Sequence, residues 1–570
     1  MYRRIVLPLL PLVLAACASG GTPPPRTVQP PPPAAAPAPE ITPAPETSPA
    51  PETSPAPEAA PDGWENLGLD VDGVPGTSTE RALAELLADR PARTVVVAVI
   101  DGGVDTAHVD LRDAMWRNPG ETPGNDRDDD GNGYVDDVFG WNFIGGADGR
   151  NVDHDTYEVT RLYARCLEGT SLDGYDCAEL TRKYEETRAE TDALAEQITQ
   201  IGAAFDVIIP ALRQATGTQD LTEEAVKAIL TADPQMLRYR EIYLQLSAAD
   251  VTTETLTDIE EDVEGRSRYG LDPEFDPRDV VGDDFADGEE RIYGNADVTG
   301  PNADHGSHVA GIIAGARNGL GNDGIAAPNV RIMAVRAVPD GDERDKDVAN
   351  AIRYAVDQGA QIINMSFGKD FSPRKPLVDA AVRYADDAGV LFIHAAGNDG
   401  SDLEVEDNFP TRVYDDGSSA ALWVTVGASG WKVDSLATSF SNYGQTKVDI
   451  FAPGLDILSA APDDEFETQQ GTSMAAPVVT GVAALLMAYF PELTAADVKE
   501  ILLASSVKYA DRMVPLPGDP SPTGESAPLV RFGELSVSGG VVNTYEAVKL
   551  ALERATRLGG NSPPPGTQQR

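Results

Sequence analysis

The plainest pattern along this chain is a series of short, near-continuous apolar runs. Thr94–Ile100 (Thr-Val-Val-Val-Ala-Val-Ile) is almost entirely β-branched. Similar runs recur at 329–336, 361–365, 389–394 and 422–427. Runs of this kind fit parallel strands buried on both faces. Helical patterns fall between several of them, at 347–360 and 376–388, and strands alternating with helices imply βαβ units with helices on both faces of the sheet. A second pattern has a different period. Leu194, Ile198, Ile201, Phe205, Ile208 and Leu212 follow a 4-3-4-3-4 spacing, with no proline before Pro210. That places one apolar stripe on a helix. Residues 156–265 read as helical, so a helical insertion is expected at about 156–280. Met474–Phe490 is apolar all round but holds Pro477, Thr480 and Gly481; it reads as a buried core helix rather than a membrane span. Thr494–Ala504 reads as a helix with Thr494 as its N-cap.

Three segments at the ends of these elements carry chemistry. They are Val-Ile-Asp-Gly-Gly-Val-Asp (99–105), Asp-His-Gly-Ser-His-Val-Ala-Gly (304–311) and Gly-Thr-Ser-Met-Ala-Ala-Pro (471–477). Together they offer an acid, an imidazole and a hydroxyl: Asp101, His305 and Ser473. A serine hydroxyl needs a base to take its proton, and the base needs an acid to fix its tautomer. Asp101 follows a strand's carboxyl end, where open α/β sheets place their chemistry.

The order Asp, His, Ser and the context of each segment resemble the subtilases, the subtilisin-like serine peptidases. Ala-Ala-Gly-Asn (395–398) resembles the family's oxyanion-hole segment. The resemblance spans roughly 90–155 and 280–555, and Val541–Val548 resembles the closing helix of such domains. It implies a three-layer α/β fold, a mostly parallel sheet between helices, with the helical insertion as a departure. It implies an endopeptidase in which Ser473 attacks, His305 moves the proton, Asp101 orients His305, and the Asn398 amide joins the Ser473 backbone N–H in holding the oxyanion. Ser366, Phe367 and Gly368 would form one cleft wall, pairing with the substrate backbone as an added strand. Peptide or protein substrates and no organic cofactor follow from the same resemblance. The competing readings are a catalytically silent scaffold of the same fold and an esterase using the same site.

Other histidines offer weaker alternatives. His308 lies one turn beyond His305, His394 ends a core strand, and His108 and His154 sit in polar loops; no His-Glu-x-x-His zinc pattern is present. Gly319-Leu-Gly-Asn-Asp-Gly324 matches a dinucleotide fingerprint but follows a helix rather than a strand, so it lacks the required context.

The acidic stretch Asn125–Asp137 resembles a calcium loop, with oxygen donors at alternate positions and glycines for the turn. One register uses Asp126, Asp128 and Asp130 with Gly131, and reaches Asp137 at its twelfth position. A second uses Asp128, Asp130 and Asn132 with Gly133. Asp110 matches a calcium-site aspartate of the family.

Composition adds location. Arg3 and Arg4 precede a short apolar stretch, Ile5–Ala16, which is too short to span a bilayer and reads as an export signal. It ends Leu14-Ala-Ala-Cys17, which resembles a bacterial lipobox. That implies a signal peptide at 1–16, a lipid on Cys17, and anchoring in the cell envelope, with Ala18 favouring an outer membrane. Residues 17–61 are rich in Pro, Ala, Glu, Thr and Ser, with Pro-Ala-Pro-Glu-Thr-Ser at 43–48 and again at 49–54. Such a segment cannot bury enough surface to fold and reads as a stiff stalk. The peptidase domain is then expected over 62–560, with a disordered tail at 561–570. Cys166 and Cys177, the remaining cysteines, would bridge in an exported chain. The formal charge of −49, from 44 basic and 93 acidic residues, argues against non-specific nucleic-acid binding. Oligomeric state is not legible.

Overall fold

The β-branched run at 95–100 lies inside a nine-stranded sheet. The computed structural model describes residues 59–172, 174–247, 251–518 and 527–560. The signal stretch, Cys17, most of the Pro-rich segment and the tail at 561–570 lie outside the described residues. The strands are β1 (Val95–Asp101), β2 (Gly140–Asn142), β3 (Val330–Arg336), β4 (Ile362–Met365), β5 (Leu391–Ala395), β6 (Trp423–Ser429) and β7 (Ile450–Pro453). A hairpin, β8 (Ile457–Ala461) with β9 (Glu465–Gln469), follows, then β10 (Val507–Lys508), the small pair β11 (Met513–Pro515) and β12 (Leu529–Arg531), and β13 (Gly540–Val541). The sheet order is β10-β13-β7-β6-β5-β4-β1-β3-β2. Every neighbouring pair is parallel except β10 with β13.

Side chains on successive strand residues point to opposite faces, and here both faces are dry. Val95, Val97 and Val99 pack with Val309–Ala314, Met474–Ala488 and the C-terminal helix, whereas Ala98 and Ile100 pack with Val348–Ala355 and Val378–Ala385. The result is the three-layer α/β fold that the pattern predicts. The helices used below are α1 (Glu158–Leu167), α2 (Cys177–Thr216), α3 (Pro234–Ser247), α4 (Thr253–Gly265), α5 (Asp304–Ala314), α6 (Asp345–Asp357), α7 (Lys375–Ala388), α8 (Thr472–Tyr489), α9 (Ala495–Ser505) and α10 (Thr544–Gly560). α8 has the length and apolarity of a membrane span, but it is buried along nearly its whole length. Thr494 caps α9 reciprocally with Asp497.

Between β2 and α5 the chain is mainly helical. α2 is 40 residues long and buries Ile198, Ile201, Phe205, Ile208 and Leu212. Pro210 lies inside it rather than ending it. The missing N–H costs one helical bond, and the burial of Ile208 and Leu212 on either side against Val226 and Ile229 outweighs that cost. α1 and α2 are tied by a Cys166–Cys177 disulfide, 11 residues apart in sequence.

Candidate active site

Three elements bring the acid, the imidazole and the hydroxyl to one edge of the sheet. Asp101 is the last residue of β1, His305 the second of α5, and Ser473 the second of α8. α5 can approach β1 only because residue 306 is glycine: a Cβ there would lie 2.0 Å from the Gly103 carbonyl oxygen and 3.2 Å from Asp101 Cβ.

Asp101 is buried, and its Oδ1 accepts from the Gly102 N–H at 2.7 Å and from His305 Nδ1 at 2.7 Å. An ionised carboxylate is an acceptor only, so the imidazole proton sits on Nδ1 and Nε2 carries the lone pair. Among the described residues Nε2 has no hydrogen-bond partner. Gly102 is held in turn from behind: Arg336, the register partner of Asp101 on β3, donates from Nε to the Gly102 carbonyl at 2.6 Å.

The Ser473 side chain is buried, and its hydroxyl donates to the Ser366 carbonyl at 3.1 Å. The Ser366 hydroxyl donates back to the Ser473 carbonyl at 2.9 Å. Among the described residues His305 Nε2 makes no hydrogen bond to Ser473; such contacts often tighten only when substrate binds. Asn398 follows β5 by three residues. Its Oδ1 accepts from the Thr472 N–H at 2.8 Å and the Thr472 hydroxyl at 3.0 Å, so the amide keeps only Nδ2 as a donor. Ser366 and Phe367 are buried and Gly368 partly so, directly after β4.

The remaining histidines are accounted for by neighbours. His308 is buried, its pKa is pushed down to about 3 by burial, and Nε2 donates to the Ile457 and Glu467 carbonyls. His394 is pushed down to about 4 by burial and donates to the Phe367 carbonyl at 3.0 Å. His108 donates to the Glu465 carbonyl and accepts from the Asp110 N–H. His154 contacts Asp340 and stacks on Tyr269.

Residues 92–519 match the subtilase family, Peptidase_S8. The chain belongs to that family. A thermophilic serine proteinase of Bacillus sp. (strain AK1) is 40% identical over 215 residues, covering 38% of this chain and 48% of the relative. Subtilisin DY of Bacillus licheniformis is 34% identical over 238 residues, covering 41% of this chain and 78% of the relative. The chain thus spans about half the length of the first relative. Among solved structures, a cold adapted subtilisin-like serine proteinase matches at 33% identity over 41% of this chain and 76% of its own, with a TM-score of 0.32.

The subtilase domain also carries the acidic loop. Carboxylate oxygens of Glu121, Asp128 and Asp130 lie within 4.8 Å of one another. Glu121 Oε2 is buried with no hydrogen-bond partner among the described residues, while Oε1 accepts from the Asp129 and Asp130 N–H groups. Asp128 accepts from the Gly131, Asn132 and Gly133 N–H groups. This donor set suits a hard cation. Asn132 reaches Asp130 and Asp137 through its amide. Asp137 is buried, pushed up to about 6 by that burial, and accepts from Asn118, Asn132 and Tyr354. The Asp126 N–H donates to Asp136. Of the five residues the sequence pattern offers, Asp128 and Asp130 belong to the converging group. Glu121, which sequence reasoning missed, completes it. Asp110 is buried and accepts from Asn318 at 2.7 Å.

Proposed function

We propose that this chain is an exported serine endopeptidase, held in the cell envelope by a lipid on Cys17. Support comes above all from the 2.7 Å bond between His305 Nδ1 and Asp101 Oδ1, which leaves Nε2 as a base without a partner. Ser473 rotates from the Ser366 carbonyl towards Nε2 and attacks the scissile carbonyl carbon as Nε2 takes its proton. The C–N bond then breaks, His305 returns the proton to the leaving amine, and an acyl ester remains on Ser473. Water, deprotonated by His305, hydrolyses that ester and restores the hydroxyl. Asp101 holds the imidazole in the required tautomer and stabilises the imidazolium. Asn398 Nδ2 donates to the oxyanion, and preorganised donors of this kind usually supply the largest single catalytic term. Residues 366–368 bind the substrate backbone. Glu121, Asp128 and Asp130 would hold calcium, which when bound cross-links the acidic loop. The cleft needs no organic cofactor for this chemistry.

The test is peptide hydrolysis and covalent labelling by a fluorophosphonate, using the detergent-solubilised full chain beside Ser473→Ala. Cleavage and labelling that both vanish in the variant are expected. Ester but not peptide hydrolysis would make it an esterase. A folded wild-type chain that neither cleaves nor labels would leave only the scaffold reading.

A further inference from the structure

Where β3 passes into α6, six consecutive charged side chains, Asp342 to Asp347, are all buried. Burying charge is costly unless each group is paired, and the partners come from other segments. Arg344 forms a fork on Asp155 at 2.7 and 2.9 Å and also reaches Asp276. Arg278 grips Asp347 and Asp283, and Lys346 reaches Asp283 and Glu290. On α1, Glu158 receives Arg161 at 2.7 Å, and its N–H donates to Asp342.

Lys369, the residue directly after Gly368, stands in the middle of this network. It is 3% exposed. Its ammonium reaches Glu158 Oε2 at 3.0 Å, Asp345 Oδ1 at 2.9 Å and the Glu343 carbonyl at 2.7 Å. The contacts with Glu158 and the Glu343 carbonyl are hydrogen bonds, and that with Asp345 is an ion pair. Its backbone is pinned as well, by paired bonds with Phe409 at 3.0 and 2.8 Å. Two residues on, Phe371 packs edge-on to Tyr175 beside α2 and against the cluster that holds Val159 of α1 and Tyr184 of α2. Residues 366–371 therefore run from the carbonyl that holds the Ser473 hydroxyl to the flank of the helical segment.

We propose that Lys369 is a positioning residue, through which the docking of α1 sets the placement of the cleft wall 366–368 and so the binding of extended peptides. The inference rests on the peptidase reading above. Without the ammonium, Glu158 and Asp345 are left as buried like charges on either side of residue 369. Their repulsion moves the wall, while β1, α5 and α8 keep the reacting groups in place.

The experiment compares two reagents on the full chain. One is a tetrapeptide anilide that must lie along the wall; the other is a small fluorophosphonate with no peptide portion. In Lys369→Met the anilide KM rises about tenfold or more with kcat changed less than about threefold, the signature of lost binding rather than lost chemistry. Inactivation by the fluorophosphonate stays within about threefold of wild type. Glu158→Gln, which keeps the shape of the side chain, shifts the anilide KM in the same direction by a smaller factor, and it decides the matter alone if circular dichroism shows Lys369→Met unfolded. Unchanged anilide kinetics in a folded variant would overturn the inference, as would an equal loss towards both reagents. A wild-type chain that reacts with neither reagent would sink the peptidase reading first and this inference with it.

Discussion

Thr472 fixes which atoms of Asn398 can donate. Its N–H and its hydroxyl both point at Oδ1, at 2.8 and 3.0 Å, and the hydroxyl in turn accepts from the Gly397 N–H. The residue beside the candidate nucleophile therefore orients the candidate oxyanion donor. Asn398→Ala is expected to lower kcat by about 10²–10³, the usual cost of losing one such donor, with KM little changed. Thr472→Val keeps the N–H contact but loses the hydroxyl, so a smaller loss, on the order of tenfold, is expected. Steady-state kinetics on one peptide substrate checks both, and a normal kcat in Asn398→Ala would remove this residue from the mechanism.

Asp101→Asn keeps the shape of the carboxyl but can present its own N–H to His305 Nδ1. The imidazole then carries its proton on Nε2, where a base needs a lone pair. A loss of about 10⁴ in kcat is expected, with the fold intact by circular dichroism. A loss of only a few-fold would mean that Asp101 does not set the tautomer.

Calcium is expected to stabilise the fold without taking part in bond cleavage. With free calcium at about 100 times its Kd, binding to the native state adds about 2.7 kcal/mol. Thermal melts with calcium and with a chelator should separate in wild type and converge in Glu121→Gln. Melts that separate equally in both proteins would place the ion elsewhere.

Glu65 gives the chain a stability slope with pH. It is fully buried, and burial raises its pKa from 4.5 to about 7. Between those values the native state holds a proton that the unfolded chain has released. Stability is therefore greatest below 4.5, falls as pH rises through that window, and levels off above 7. The size is about 3 kcal/mol. Urea midpoints across pH 4–8 should show this fall in wild type, and Glu65→Gln should lack that part of it.

How far the fold could be read beforehand depended on where the determining partners lie. Val95–Ile100 declares a buried parallel strand because its own residues carry the pattern. Asp101, His305, Ser473 and Asn398 are legible because each sits in a short segment with a local signature. Glu121 is not, because only the folding back of the loop places it beside Asp128 and Asp130. The burial of Asp342–Asp347 is not legible either, since six charges in a row give no apolar signal. Their partners lie at Asp155, Arg278, Asp283 and Glu290, far away in the chain. Lys369 is hidden for the same reason.

The charged run also limits how this chain could be cut and spliced. Excising residues 158–281 would strip Arg278 from Asp347, Asp276 from Arg344 and Glu158 from Lys369. All three of Asp347, Arg344 and Lys369 would stay inside the remaining body. A trimmed version would need Asp347, which loses its cation, replaced by a neutral residue in the same step, whereas Arg344 keeps its fork on Asp155 and Lys369 its contact with Asp345. A graft of the helices onto a smaller relative would need all three supplied at once, so the two parts are transferable only as a matched set.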